Sequence, residues 1–161
     1  MIDANRRTLL KGSLAVGSVG ALVATGLATP RLVLADWNQA AFAATDPDAA
    51  LKALLDDSVP QTNESVLIRV PDIAENGAVV PVTVELSPAA DLQGVTAIAI
   101  LAAGNDRPLI ASYVLGPAAV AFISTRIKMA KTADVVAVVK QDGRLLRNAK
   151  NVKVTIGGCG G

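Results

Sequence analysis

From Ser65 onward the chain alternates apolar and polar residues with a period of two, the mark of strands with one face buried. V-L-I-R-V, residues 66–70, is bounded by Pro71. In 79–86, Val80, Val82, Val84 and Leu86 alternate with Pro81, Thr83 and Glu85, and the proline predicts an edge or a bulge. V-T-A-I-A-I-L-A, 95–102, and P-L-I-A-S-Y-V-L, 108–115, flank A-G-N-D-R and predict a hairpin. Residues 119–129 alternate cleanly, with Arg126 and Lys128 on the solvent side. D-V-V-A-V-V-K, 134–140, meets a strand at 144–147 across Q-D-G-R, a strong turn signal. N-V-K-V-T-I, 151–156, forms the last strand.

Ahead of this region the period changes. T-D-P-D-A-A-L-K-A-L-L-D-D predicts a helix, with Thr45 or Asp46 as cap and Pro47 in the first turn. Ala50, Leu51, Leu54 and Leu55 form its apolar stripe, and it is the single helix expected after residue 35. Seven or eight short strands without interleaved helices predict an all-β fold. The expected form is an antiparallel β-sandwich of immunoglobulin-like size with a short N-terminal helix. With only four aromatic residues in the chain, such sheets are expected to complete their burial against a partner.

Composition narrows the chemistry. Histidine is absent, which removes the commonest general base and transition-metal ligand. One cysteine, Cys159, rules out an internal disulfide or a CxxC pair. Whatever chemistry exists must use one thiol or carboxylates. The adjacent acids Asp56 and Asp57 point in different directions at a helix end, and Glu75, Glu85 and Asp91 form no recognisable constellation. A hydrolase built on paired carboxylates is therefore disfavoured, and no cofactor or metal is called for.

Mean hydropathy is +0.46, and part of that belongs to the leader. M-I-D-A-N-R-R-T-L-L-K is basic, and Gly12–Ala28 is uncharged with four glycines in seventeen residues. Such a run spans only ~25 Å as a helix, short of a ~30 Å hydrocarbon core. Val33 to Ala35 supply small or modest residues at the −3 and −1 positions of a signal peptidase site. Residues 1–35 are therefore expected to be a removed export signal, with cleavage before Asp36. Arg6 and Arg7, ahead of a glycine-rich core, point to the twin-arginine route rather than the ordinary secretory one. The signal would take four of the 15 basic and one of the 14 acidic residues, leaving 11 against 13 and a net charge of −2. That balance argues against a nucleic-acid or anionic-membrane surface.

The sequence closes on I-G-G-C-G-G, which places the one thiol among Gly157, Gly158, Gly160 and Gly161. Glycine has the largest backbone freedom and no bulk. From Ile156 to Cys159 the tail reaches roughly 10 Å. Such a tail is expected to enter a narrow channel and to insert a thiol into another protein's active site. Nothing within it activates the thiol: the nearest cation in sequence is Lys153. At an ordinary thiol pKa of about 8.5 only a few per cent is thiolate at neutral pH. Activation would have to come from the visited site. The alternatives are an incidental cysteine on a loose terminus and a redox or metal-binding thiol. An unpaired thiol in an oxidising compartment is a liability, which weighs against the first.

The twin-arginine leader, the β-rich domain of this size, the terminal G-G-C-G-G and the run I-A-E-N-G-A-V-V-P-V-T-V, 73–84, together resemble the SoxY family. These are the sulfur-carrier subunits of the bacterial periplasmic thiosulfate-oxidising (Sox) system. The resemblance implies that Cys159 holds sulfur intermediates covalently, on a swinging arm formed by 157–161 beyond a carrier domain at 36–156. It implies a non-catalytic, periplasmic subunit paired in a heterodimer with SoxZ, another small β-sandwich protein. Transient partners would be a haem enzyme that couples thiosulfate to the thiol, a manganese hydrolase that releases sulfate, and a sulfur dehydrogenase. Two other readings compete. A ubiquitin-like sulfur carrier would use a terminal Gly-Gly carboxylate in the cytosol, against the export signal and the interposed cysteine. An exported sandwich serving adhesion or assembly would leave the tail unexplained.

Overall fold

The computed structural model describes residues 38–55, 59–88, 90 and 93–158. The expected signal with Arg6 and Arg7 lies outside them, as do Asp56, Asp57 and Asp91. Among the described residues two helices, α1 (Gln39–Ala43) and α2 (Pro47–Leu55), precede nine strands. These are β1 (Gln61–Thr62), β2 (Val66–Arg69), β3 (Ile73–Asn76), β4 (Val80–Leu86) and β5 (Val95–Ala102), then β6 (Leu109–Val114), β7 (Phe122–Ile127), β8 (Ala133–Gln141) and β9 (Arg144–Ile156).

The strands make two sheets. The larger runs β1-β9-β8-β5-β6, with β3 also on β9, and the smaller runs β2-β4-β7. Between them lies the main core, where Val80, Val82, Val84 and Leu86 of β4 meet Ile98 and Ile100 of β5 and Val135 and Val139 of β8. The opposite face of the large sheet is also covered: Ala99, Leu101, Val136, Val138 and Leu145 pack under Ala41, Ala50, Leu51 and Leu55 of the helices. This is why β5 and β8 read as nearly unbroken apolar runs, since both of their faces are dry. Burying Leu51 and Leu55 contributes about 1.5–3 kcal/mol each. The molecule is the expected all-β sandwich, with a helical layer on one outer face.

Local chemistry sets the element ends. Asp46 Oδ1 accepts the Ala49 N–H at 2.9 Å, capping α2. Helix α1 was not expected from periodicity, because five residues show none. Its signal is Asn38, whose Oδ1 accepts the Ala41 N–H at 3.0 Å while its Nδ2 donates to the Ala53 carbonyl at 2.7 Å. In the β8–β9 hairpin Asp142 and Gly143 have φ of 47° and 75°, the paired positive values of a type I′ turn. Pro81 sits at a local edge: the pairing of β2 with β4 stops at Arg69–Thr83, and Pro81 faces only Arg126 of β7.

Three details depart from the sequence reading. The strands expected at 144–147 and 151–156 are one strand of 13 residues. The polar residues between them stay in the ladder because Asn148 Nδ2 donates to the Val66 carbonyl at 2.7 Å and Lys150 Nζ to the Val70 carbonyl at 3.2 Å. Strands β1 and β3 were not foreseen. Both run parallel to β9, one at Leu146–Arg147 and the other at Lys153–Ile156, so the sandwich is not antiparallel throughout.

Candidate functional site

The site begins where β9 ends. Three backbone segments converge there: the turn after β3 at Gly77, the residues after β7 at Lys128–Ala130, and Ile156–Gly158. Gly77 N–H donates to the Ile156 carbonyl at 2.7 Å, Met129 N–H to the Gly77 carbonyl at 2.7 Å, and Gly158 N–H to the Met129 carbonyl at 2.9 Å. Met129 is fully buried among the core residues, so this junction rests on the sandwich interior.

The glycines at the junction serve close approach. A Cβ on Gly157 would press into the carbonyl of Ala130, and one on Gly77 into that of Met129. A Cβ on Gly158 would stand 2.7 Å from the Gly77 carbonyl oxygen. Gly158 is buried, whereas Gly157 is exposed on its open side. Gly157 and Gly158 were read as lending reach. In the structure they form the root from which the tail leaves. Cys159, Gly160 and Gly161 lie outside the described residues.

A polar clamp steadies the root. Asn105, in the β5–β6 loop, is 6 % exposed. Its Nδ2 donates to the Lys128 carbonyl at 2.8 Å and its Oδ1 accepts the Ala130 N–H at 2.8 Å, so one amide holds both sides of Met129. Thr132 Oγ1 accepts the Val154 N–H at 2.9 Å and fixes the last turn of pleat before the root. Asn76 Oδ1 accepts the Ala78 N–H at 2.8 Å, shaping the turn that carries Gly77.

Sequence reasoning missed Asn105, Gly77 and Met129. A-G-N-D-R at 103–107 marked a turn, but nothing in it says that this turn meets the residues around Gly77. The carboxylates set aside earlier stay apart: Glu85 pairs with Arg69 at 2.6 Å on the outer face of the small sheet, and Glu75 is exposed on β3. Among the described residues no group of three His, Cys, Asp or Glu side chains could hold a metal ion. No described helix is long and apolar enough to cross a membrane.

Comparison with known proteins bears on this geometry. The family model described as "Sulfur oxidation protein SoxY" matches residues 51–159, from the second helix through the cysteine. A solved structure, that of the sulfur carrier protein SoxY from Chlorobium limicola f thiosulfatophilum, is 40% identical over 68% of this chain and 96% of its own, with a TM-score of 0.60. No curated protein matches the chain. The two sheets, the match over most of the domain and the solved structure of the same shape agree: the chain belongs to the SoxY family of sulfur oxidation proteins.

Proposed function

We propose that this protein is a covalent carrier of sulfur intermediates in thiosulfate oxidation, with Cys159 as the attachment point. The observation that carries the reading is the family match running through Cys159, alongside a solved sulfur carrier 40% identical to this chain. The root geometry supports it. Cys159 follows directly on a three-way hydrogen-bonded junction that ends at Gly158, so the point from which its thiol starts is held by the sandwich.

In this reading the thiol joins thiosulfate as Cys–SH + S2O3²⁻ → Cys–S–S–SO3⁻ + H⁺ + 2 e⁻, the electrons passing to a haem-containing coupling enzyme. Water then cleaves the terminal S–S bond at a manganese hydrolase, releasing sulfate and leaving a persulfide on Cys159. A sulfur dehydrogenase oxidises the sulfane sulfur that remains. The carrier itself catalyses none of these steps: it holds, moves and presents. It works in the periplasm after twin-arginine export, paired with a SoxZ-like subunit, and Gly160 and Gly161 keep the far end slim enough to enter a channel.

Intact-mass analysis tests the reading. The exported protein, incubated with thiosulfate and the coupling enzyme, is expected to gain one thiosulfate-derived adduct that reductant removes. Cys159→Ser is expected to fold normally and to gain none. An adduct on the serine variant, or sustained thiosulfate turnover by it, refutes the carrier role.

A further inference from the structure

Beside the Asn105 clamp, the β5–β6 loop and the end of β7 line an open cleft of about 510 Å³. Leu109 and Ile127, both buried, also contribute to its lining. Its rim carries Arg107, Arg126 and Lys128 against one carboxylate, Asp106. Among the described residues none of these three cations has an ion-pair partner. Elsewhere Arg69 pairs with Glu85 and Lys150 with Asp72, while Lys131, Arg144, Arg147 and Lys153 are scattered cations with no ion-pair partner among the described residues. What marks the rim is that three cations line one cleft with a single carboxylate, a net positive charge that favours an anion there.

We propose that this cleft binds a tetrahedral sulfur oxyanion, of the sulfate and sulfonate kind. Two guanidinium groups offer planar forks that match paired oxygens, and the lysine adds a point charge. The rim is held before any ligand arrives: Asn105 pins Lys128 through its carbonyl and so fixes the loop that carries Arg107 beside β7.

The cleft and the root share one piece of chain. Lys128 lines the cleft, Met129 accepts the Gly158 N–H, and Ala130 packs on Gly157. The oxyanion therefore has two possible sources, a free anion from solution or the sulfonate end of an adduct on the residue that follows Gly158. The second source rests on the carrier function proposed above; the first does not.

The test uses the mature chain and reads backbone amide shifts. Cys159→Ser protein, which cannot carry an adduct, is titrated with sodium sulfate against sodium chloride of equal ionic strength. Saturable, sulfate-specific shifts are expected at residues 105–110 and 126–128. Arg107→Gln/Arg126→Gln should weaken the binding by roughly tenfold or more, the effect of losing charge-assisted hydrogen bonds. Arg144→Gln, at the far end of the large sheet, should leave it unchanged. Shifts no larger with sulfate than with chloride, or equal in the double variant, overturn the proposal. Wild-type protein bearing a thiosulfonate, with free sulfate removed, then separates the sources. Shifts at the same amides assign the carried sulfonate, and their absence assigns the free anion. If sulfate binds yet intact mass shows that Cys159 never takes an adduct, the cleft stands and the carrier reading fails.

Discussion

Replacing Gly158 by alanine sets two responses against each other. An ideal Cβ there lies 2.7 Å from the Gly77 carbonyl oxygen, 2.8 Å from its carbon and 2.9 Å from the Ala78 nitrogen. All three are backbone atoms, so no side chain can swing aside. Holding the contact overpacks the junction at about 1–3 kcal/mol. Letting go forfeits the one hydrogen bond from Gly158 N–H to the Met129 carbonyl, about 0.5–1.5 kcal/mol. Ile156 stays bonded to Gly77 one step upstream, so release stops there. Release is the cheaper response. The expected outcome is a loss of about 0.5–1.5 kcal/mol in urea unfolding. Amide exchange at residue 158 should become fast, while Gly77 and Met129 stay protected. Moving the root from 158 back to 156 would lengthen the tail by roughly 7 Å. Unchanged exchange at residue 158 would refute the close approach. A loss above about 3 kcal/mol, with Gly77 deprotected, would refute the ordering of the two costs.

Three further outcomes are expected. Asn105→Ala leaves the Lys128 carbonyl and the Ala130 N–H without their buried partner and should cost about 2–4 kcal/mol, read by denaturant titration; a loss under about 0.5 kcal/mol counts against the clamp. Gly143→Ala keeps its space, since no atom lies within 4 Å of its Cβ, but must hold φ near 75°. The cost should be about 1–2 kcal/mol from backbone strain alone, checked by thermal unfolding. Changing Arg6 and Arg7 to lysine should leave precursor in the cytoplasm on fractionation, and normal export of that variant would sink the twin-arginine reading.

The sandwich was legible because its strands obey simple rules. β5 was foreseen at its observed ends, 95–102, and β8 within one residue at each end, since valine and isoleucine in runs bounded by turn residues have few other ways to bury themselves. β1 is two residues, β3 reads I-A-E-N, and neither length nor alternation announces a strand. Both exist because β9 offers an open flank, which is a tertiary fact. The gap foreseen inside β9 came from Asn148 and Lys150, whose polarity is answered across the sandwich by β2 and the residue after it. That the tail carries one cysteine among glycines was plain in the sequence. The division of labour among those glycines was not. A glycine can mean freedom or contact, and only the neighbours Gly77 and Ala130 reveal that Gly157 and Gly158 are in contact.

The placement of β9 also decides how the domain answers a pull. Any tension on the chain beyond Ile156 runs along the axis of this strand. β8 flanks it from Arg144 to Val152, β1 lies beside Leu146 and Arg147, and β3 continues from Lys153 to Ile156. Tension therefore loads these ladders in shear, with many hydrogen bonds sharing it, instead of unzipping them one after another. Each bond contributes only about 0.5–1.5 kcal/mol, yet none can yield alone. A pull on the end of β9 is therefore shared by three neighbouring strands.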